Sequence, residues 1–119
     1  MIRSKSFSIA TGVTLALMSL PALAAWQCSI HPPKGTSDAA LMSMAKVSKA
    51  RAERIALKRV GHHAAISSAE IESEQECLIW SFDLKERGRS GVQEVNVDAG
   101  NGKVLDVHHE SAGQEASEG

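Results

Sequence analysis

Residues 78–84 read Leu78-Ile79-Trp80-Ser81-Phe82-Asp83-Leu84, and their strict alternation is the clearest structural signal in the chain. Successive side chains of a strand point to opposite faces, so Leu78, Trp80, Phe82 and Leu84 share one side while Ile79, Ser81 and Asp83 share the other. Trp80 and Phe82 are therefore expected in the core. The same period of two runs upstream, where Ala69 and Ile71 alternate with Ser68, Glu70 and Glu72, and a polar turn at Ser73–Gln75 separates the two runs. Downstream, Gly88 and Gly91 mark another turn before Val95 and Val97. Asp98-Ala99-Gly100-Asn101-Gly102 then leads to Val104, Leu105 and Val107, with Asn101-Gly102 a strong hairpin signal.

Before these strands the period changes to that of a helix. Ser48 is a good N-cap, Ala52, Ile55, Ala56 and Val60 recur at helical spacing, and Lys58 and Arg59 precede Gly61, which stops the run. About three turns of helix do not persist alone in water, so this one must lay its apolar stripe on the sheet. The expectation is an α+β fold, one helix packed on a four-stranded antiparallel sheet. Residues 25–44, with Pro32-Pro33 and Gly35, read as an extended lead, and the acidic tail 110–119 lacks aromatic and branched apolar residues and reads as disordered.

The first 24 residues have the pattern of an export signal. Arg3 and Lys5 open it, an apolar stretch runs from Ile9 to Leu20, and Pro21 precedes the small-residue site Ala22-Leu23-Ala24. The apolar span is interrupted by Thr11, Gly12, Thr14 and Ser19, which argues against a membrane anchor of about 20 apolar residues. Ala25-Trp26-Gln27 before Cys28 does not fit lipid attachment, and no Arg-Arg pair points to a twin-arginine route. A periplasmic or secreted protein without a stable membrane anchor is expected.

In an oxidising compartment the two cysteines, Cys28 and Cys77, read as a structural disulfide. Closing a loop of about 50 residues is worth at most on the order of 4 kcal/mol in the chain-entropy model. A redox pair or two metal thiolates would favour the C-x-x-C spacing that is missing here. Such a staple matters because a domain this small buries a modest fraction of its surface.

Composition removes whole classes of function. The 119 residues leave room for one small domain, and 13 basic against 14 acidic residues with no basic block give no footprint for nucleic acid. Taking Arg3 and Lys5 from the basic count leaves 11 against 14, a mildly acidic mature chain. No nucleophile elbow, His-Glu-x-x-His motif or phosphate-binding glycine loop is present. Glu70 and Glu72 lie on one strand face, but nothing in the sequence shows the apolar enclosure that would lift their pKa values for acid catalysis. A non-enzymatic binding module without a cofactor is the reading that follows.

The stretch Ala45-Lys46-Val47-Ser48, Ala52, Ala56-Leu57, Leu78 to Asp83, Val95-Asn96-Val97-Asp98-Ala99 and Gly102-Lys103-Val104-Leu105 resembles a PepSY domain over about residues 45–109. The Val-Asp-Ala-x-x-Gly-x-Val-Leu hairpin is its most specific part, and Trp80 stands where the family often has tyrosine. The resemblance implies a small extracytoplasmic module of the kind found in thermolysin-type protease propeptides and cell-envelope proteins, for which peptidase inhibition or regulation has been proposed. It implies no catalytic residues. The partner it points to is an envelope protein or peptide, with a peptidase as one candidate.

Three sets of residues are candidates for function or for turn structure. Asp98, Gly100 and Gly102 form a structural turn, with Asp98 capping backbone amides and the glycines supplying positive φ; the spacing does not fit a Ca²⁺ loop. The sheet face away from the helix is expected to carry Glu70, Glu72, Ile79, Ser81, Asp83, Glu94, Asp106 and His108, an acidic surface with a small apolar centre that suits a cationic partner. Histidines His62-His63 and His108-His109 raise an alternative, a metal-binding or metal-sensing envelope protein. In a simple meander three strand spacings, about 14 Å, separate these pairs, too far for shared ligands, whereas another strand order would bring them together. No metal is the primary expectation.

Overall fold

The computed structural model describes residues 25–112. The expected signal segment, residues 1–24, and all of the tail beyond residue 112 lie outside the described residues. Two helices, α1 (Asp38–Met44) and α2 (Lys49–Val60), precede four strands, β1 (Ala64–Glu74), β2 (Cys77–Glu86), β3 (Val92–Asp98) and β4 (Val104–Glu110). The strands form one antiparallel sheet in the order β1-β2-β3-β4, a simple meander. Among the described residues no helix is long and apolar enough to cross a membrane.

Helix α2 begins where Ser48 accepts a hydrogen bond from the Arg51 amide and ends at Gly61, whose φ of 118° suits glycine. Its Ala52 and Ala56 are fully buried against β1, β2 and β3, and the small side chains let the helix lie close to the sheet. Helix α1 is a departure from the extended lead expected over residues 25–44. Ser37 caps it, and Leu41 inserts into the core beside β1. Its seven residues carry one buried apolar position, too little for a periodic signal, so tertiary packing and not local pattern fixes it. Glu110, expected in the tail, is the last residue of β4.

The core lies between the helices and the sheet. Leu78, Trp80, Phe82 and Leu84 from β2 meet Val95 and Val97 from β3 and Val47, Ala52 and Ala56 from the helix side. Trp80 and Phe82 stack with ring centroids 6.5 Å apart, and the Trp80 indole Nε1 donates to the Val47 carbonyl at 2.9 Å, so the one polar atom of the tryptophan is satisfied. The Ala99 carbonyl accepts from the amides of Lys46 and Val47, which ties the start of α2 to the last hairpin.

The first hairpin turns later than the sequence indicates. Glu74 pairs with Cys77, leaving Gln75 and Glu76 as a two-residue turn with φ of 48° and 64°. Such a turn ordinarily calls for Asn-Gly, which is why the sequence carried no signal for it. The lead fastens this corner: Cys28 and Cys77 are disulfide-bonded, Leu78 donates its amide to the Ile30 carbonyl, and the His31 ring lies 2.9 Å from the Glu76 carbonyl.

Candidate functional site

Strand register assembles the face of the sheet that the helices leave uncovered. One row across the sheet pairs Ser68, Asp83, Glu94 and His108; the next pairs Glu70, Ser81, Asn96 and Asp106; a third pairs Glu72, Ile79 and Asp98. All the residues expected on the partner face therefore do share it. Glu74 and Glu110 follow by alternation on β1 and β4, in step with Glu72 and His108, and were missed because each falls at a strand end that the pattern did not delimit. Two irregularities, at Ser67 on β1 and Leu105 on β4, keep the alternation in phase between strands.

Within this face Ile79 requires a correction. It is fully buried, so the small apolar centre expected at the surface is not open to a partner. Asn96 is also buried, and its Nδ2 donates to Glu94 Oε1 at 3.1 Å. The accessible part of the face is carboxylates interspersed with Ser68, Ser81 and His108.

Crowded, partly desolvated carboxylates resist ionisation. Burial, then the hydrogen bond and the charge of Glu70, then Glu74 and Glu94, push the Glu72 carboxyl up to about 7. The sequence showed no enclosure of this kind around Glu72, because it forms only in the folded sheet. Glu74 is raised by burial and by Glu94, and Glu94 is raised by burial and by its hydrogen bond with Glu110. For His108 burial is the largest single effect and opposes protonation, but Asp106, Glu110 and Glu94 together outweigh it and hold the imidazole above its ordinary value. The opposite side of the molecule has the other sign, since α2 carries Lys49, Arg51, Arg54, Lys58 and Arg59 against Glu53. The fold thus separates charge across its two layers.

The turn residues divide differently from expectation. Asp98 is fully buried and its carboxylate accepts from the amides of Gly100 and Asn101, as a cap, and also from the amide and hydroxyl of Ser29. Burial alone would raise its pKa, but these donors outweigh it and hold the carboxyl below its ordinary value. Gly102 has φ of 80°, as expected. Gly100 is not in the left-handed region; it is glycine because a Cβ there would collide with Ser29 Oγ and press on Ile30 at 3.0 Å. That requirement depends on the lead crossing the hairpin, which no local pattern reveals.

The four histidines of the metal alternative are not brought together. His62 and His63 precede edge strand β1, in an open depression lined also by Lys85, Glu86 and Arg87. His108 and His109 lie on the opposite edge strand, and alternation puts them on opposite faces, His108 across from Glu94 and His109 across from Gln93. Two other donor clusters exist among the described residues, Cys28–His31–Cys77 and Glu94–His108–Glu110. In the first, the sulfurs are committed to the disulfide.

The family model described as "Peptidase propeptide and YPEB domain", PepSY, matches residues 46–108, more than half of the chain. With the meander, the covering helix and the Asp98 hairpin in place, the chain belongs to the PepSY family. Domains of this family are typically non-catalytic propeptide or regulatory modules and occur in exported proteins. No curated protein and no solved structure matches the chain.

Proposed function

We propose that this chain is an exported binding module that docks a cationic segment of an envelope protein, a peptidase in the first instance, on its open acidic face and restrains that partner. The observation that carries the reading is the row-by-row placement of Glu70, Glu72, Asp83, Glu94 and Asp106 on the sheet face opposite a basic helix. Such a charge distribution orients an incoming partner before contact and sets selectivity more than affinity. The family is that of peptidase propeptides, which supports a peptidase as the partner. The disulfide and the signal-like segment support an oxidising compartment outside the cytoplasm.

The module acts by occupancy. Asp98, the disulfide and the turn hold the lead and the sheet as one rigid platform, so little ordering is required on binding. The test is proteolysis of a protein substrate by the cell's envelope fraction, with the purified chain added in increasing amount. A saturable fall in rate that Glu70→Lys/Asp83→Lys abolishes is expected. No change in rate at any amount, or an equal effect from the charge-reversed chain, rejects the reading.

A further inference from the structure

The outer edge of the open face holds a set of donors that no sequence pattern grouped together. Glu94 on β3 lies directly across from His108 on β4, and Glu110 follows two residues later on the same face. One ligand atom from each lies within 4.8 Å of the others; His108 Nε2 is 3.3 Å from Glu110 Oε1 and 3.6 Å from Glu94 Oε2. Bonds of about 2.0–2.2 Å in a tetrahedral site place ligand atoms about 3.3–3.6 Å apart, which is the spacing of these two pairs.

The other ring nitrogen is already engaged. Nδ1 of His108 lies 2.7 Å from Asp106 Oδ2, and as the donor in that bond it fixes the ring with Nε2 turned to the two glutamates. A carboxylate behind an imidazole is the usual outer support of a metal-bound histidine. A second observation comes from Asn96, which is 1% exposed and rests against the cluster. Its Nδ2 donates to Glu94, and among the described residues its Oδ1 has no hydrogen-bond partner. Asn96 thus holds one oxygen of Glu94, Oε1, and leaves the other, Oε2, toward His108.

We propose that Glu94, His108 and Glu110 form a binding site for a zinc-class divalent ion, with Asp106 orienting the imidazole and the fourth position left to solvent. One imidazole nitrogen with a carboxylate oxygen on each side at 3.3 and 3.6 Å favours Zn²⁺ over Ca²⁺ and Mg²⁺, which take six or more oxygen ligands. The site does not rest on partner docking, and its test contains no partner.

The test is calorimetric titration of Zn²⁺ into the purified chain with Cys28–Cys77 closed, beside the His108→Asn and His62→Asn/His63→Asn variants, with Ca²⁺ as the counter-probe. One Zn²⁺ per chain, at least tenfold weaker binding in His108→Asn, unchanged binding in the His62/His63 variant and no comparable Ca²⁺ binding are expected. Where His108→Asn fails to fold, imidazole ¹⁵N spectra of the unmodified chain decide: Zn²⁺ should move the His108 Nε2 resonance and leave Nδ1 protonated. No Zn²⁺ uptake, uptake lost only in the His62/His63 variant, or uptake without a shift at His108 Nε2 overturns the proposal.

Discussion

Asp98 holds Ser29, 69 positions earlier in the chain, by two hydrogen bonds: the Ser29 amide donates to Oδ2 at 2.8 Å and its hydroxyl to Oδ1 at 2.6 Å. The same carboxylate caps the β3–β4 turn through Gly100 and Asn101. One buried side chain therefore joins the lead to the last hairpin, and several backbone donors lose their partner if it is removed.

Asp98→Ala is expected to cost about 3 kcal/mol or more in urea unfolding, because buried donors are left unpaired, while Ser29→Ala, which removes one of the bonds, costs about 1–2 kcal/mol. The carboxyl is held below its ordinary value of 3.8. Its contribution is thus complete above that value and is lost as pH falls through the lower folded one. An Asp98→Ala chain with unchanged stability at pH 7 would contradict this role.

Gly100→Ala tests the same junction from the other side. Its φ permits alanine, so a turn in isolation would tolerate the change, but the added Cβ collides with Ser29 Oγ. Loss of stability is expected in the intact chain and is expected to shrink in a Ser29→Gly background. Equal losses in both backgrounds would show that the collision is not the cause.

The Gln75-Glu76 turn stores strain that a better turn sequence would relieve. Both residues have positive φ, which costs roughly 1–2 kcal/mol for each side-chain-bearing residue, although part of the gain is lost to the greater freedom of glycine in the unfolded chain. Gln75→Asn/Glu76→Gly is expected to raise stability by about 1 kcal/mol, read as a higher denaturation midpoint at unchanged slope. A lower midpoint would contradict the turn assignment.

Glu72 sets a pH dependence of opposite sign to that of Asp98. Its carboxyl titrates near 7 in the folded chain against an ordinary 4.5, first because of burial and then because of Glu70. Between these values the unfolded chain gives up the proton before the folded one, so stability falls as pH rises from about 4.5 to 7 and the penalty is complete above 7. Glu72→Gln is expected to stabilise the chain at pH 8 by on the order of 1 kcal/mol after solvent screening, and to leave it unchanged at pH 4. Equal effects at both pH values would contradict the assignment.

The α+β class, helix α2 with its Ser48 and Gly61 ends, and the sharing of one sheet face by the acidic residues were legible because each depends on spacing within one segment. Helix α1 and the reason for Gly100 were not legible, because each depends on contact with residues far along the chain, and the first turn was not because Gln75-Glu76 is not a usual turn pair. The lift of Glu72 comes first from burial and then from Glu70 on its own strand, and the Glu94–His108–Glu110 cluster arises only once β3 and β4 are paired. The two histidine pairs, conspicuous in sequence, are parted by the meander.

The most direct test of the docking face is the affinity of a labelled Lys/Arg-rich peptide for four proteins: the unmodified chain, Glu70→Lys/Asp83→Lys, and, as controls on the opposite layer, Arg51→Glu and Lys58→Glu. Binding that weakens about tenfold or more in the face variant, falls with added salt and is undiminished in both helix variants is the expected result. Affinity indifferent to Glu70 and Asp83, or lost equally when the helix charges are reversed, would contradict the assignment of the acidic sheet face as the binding surface.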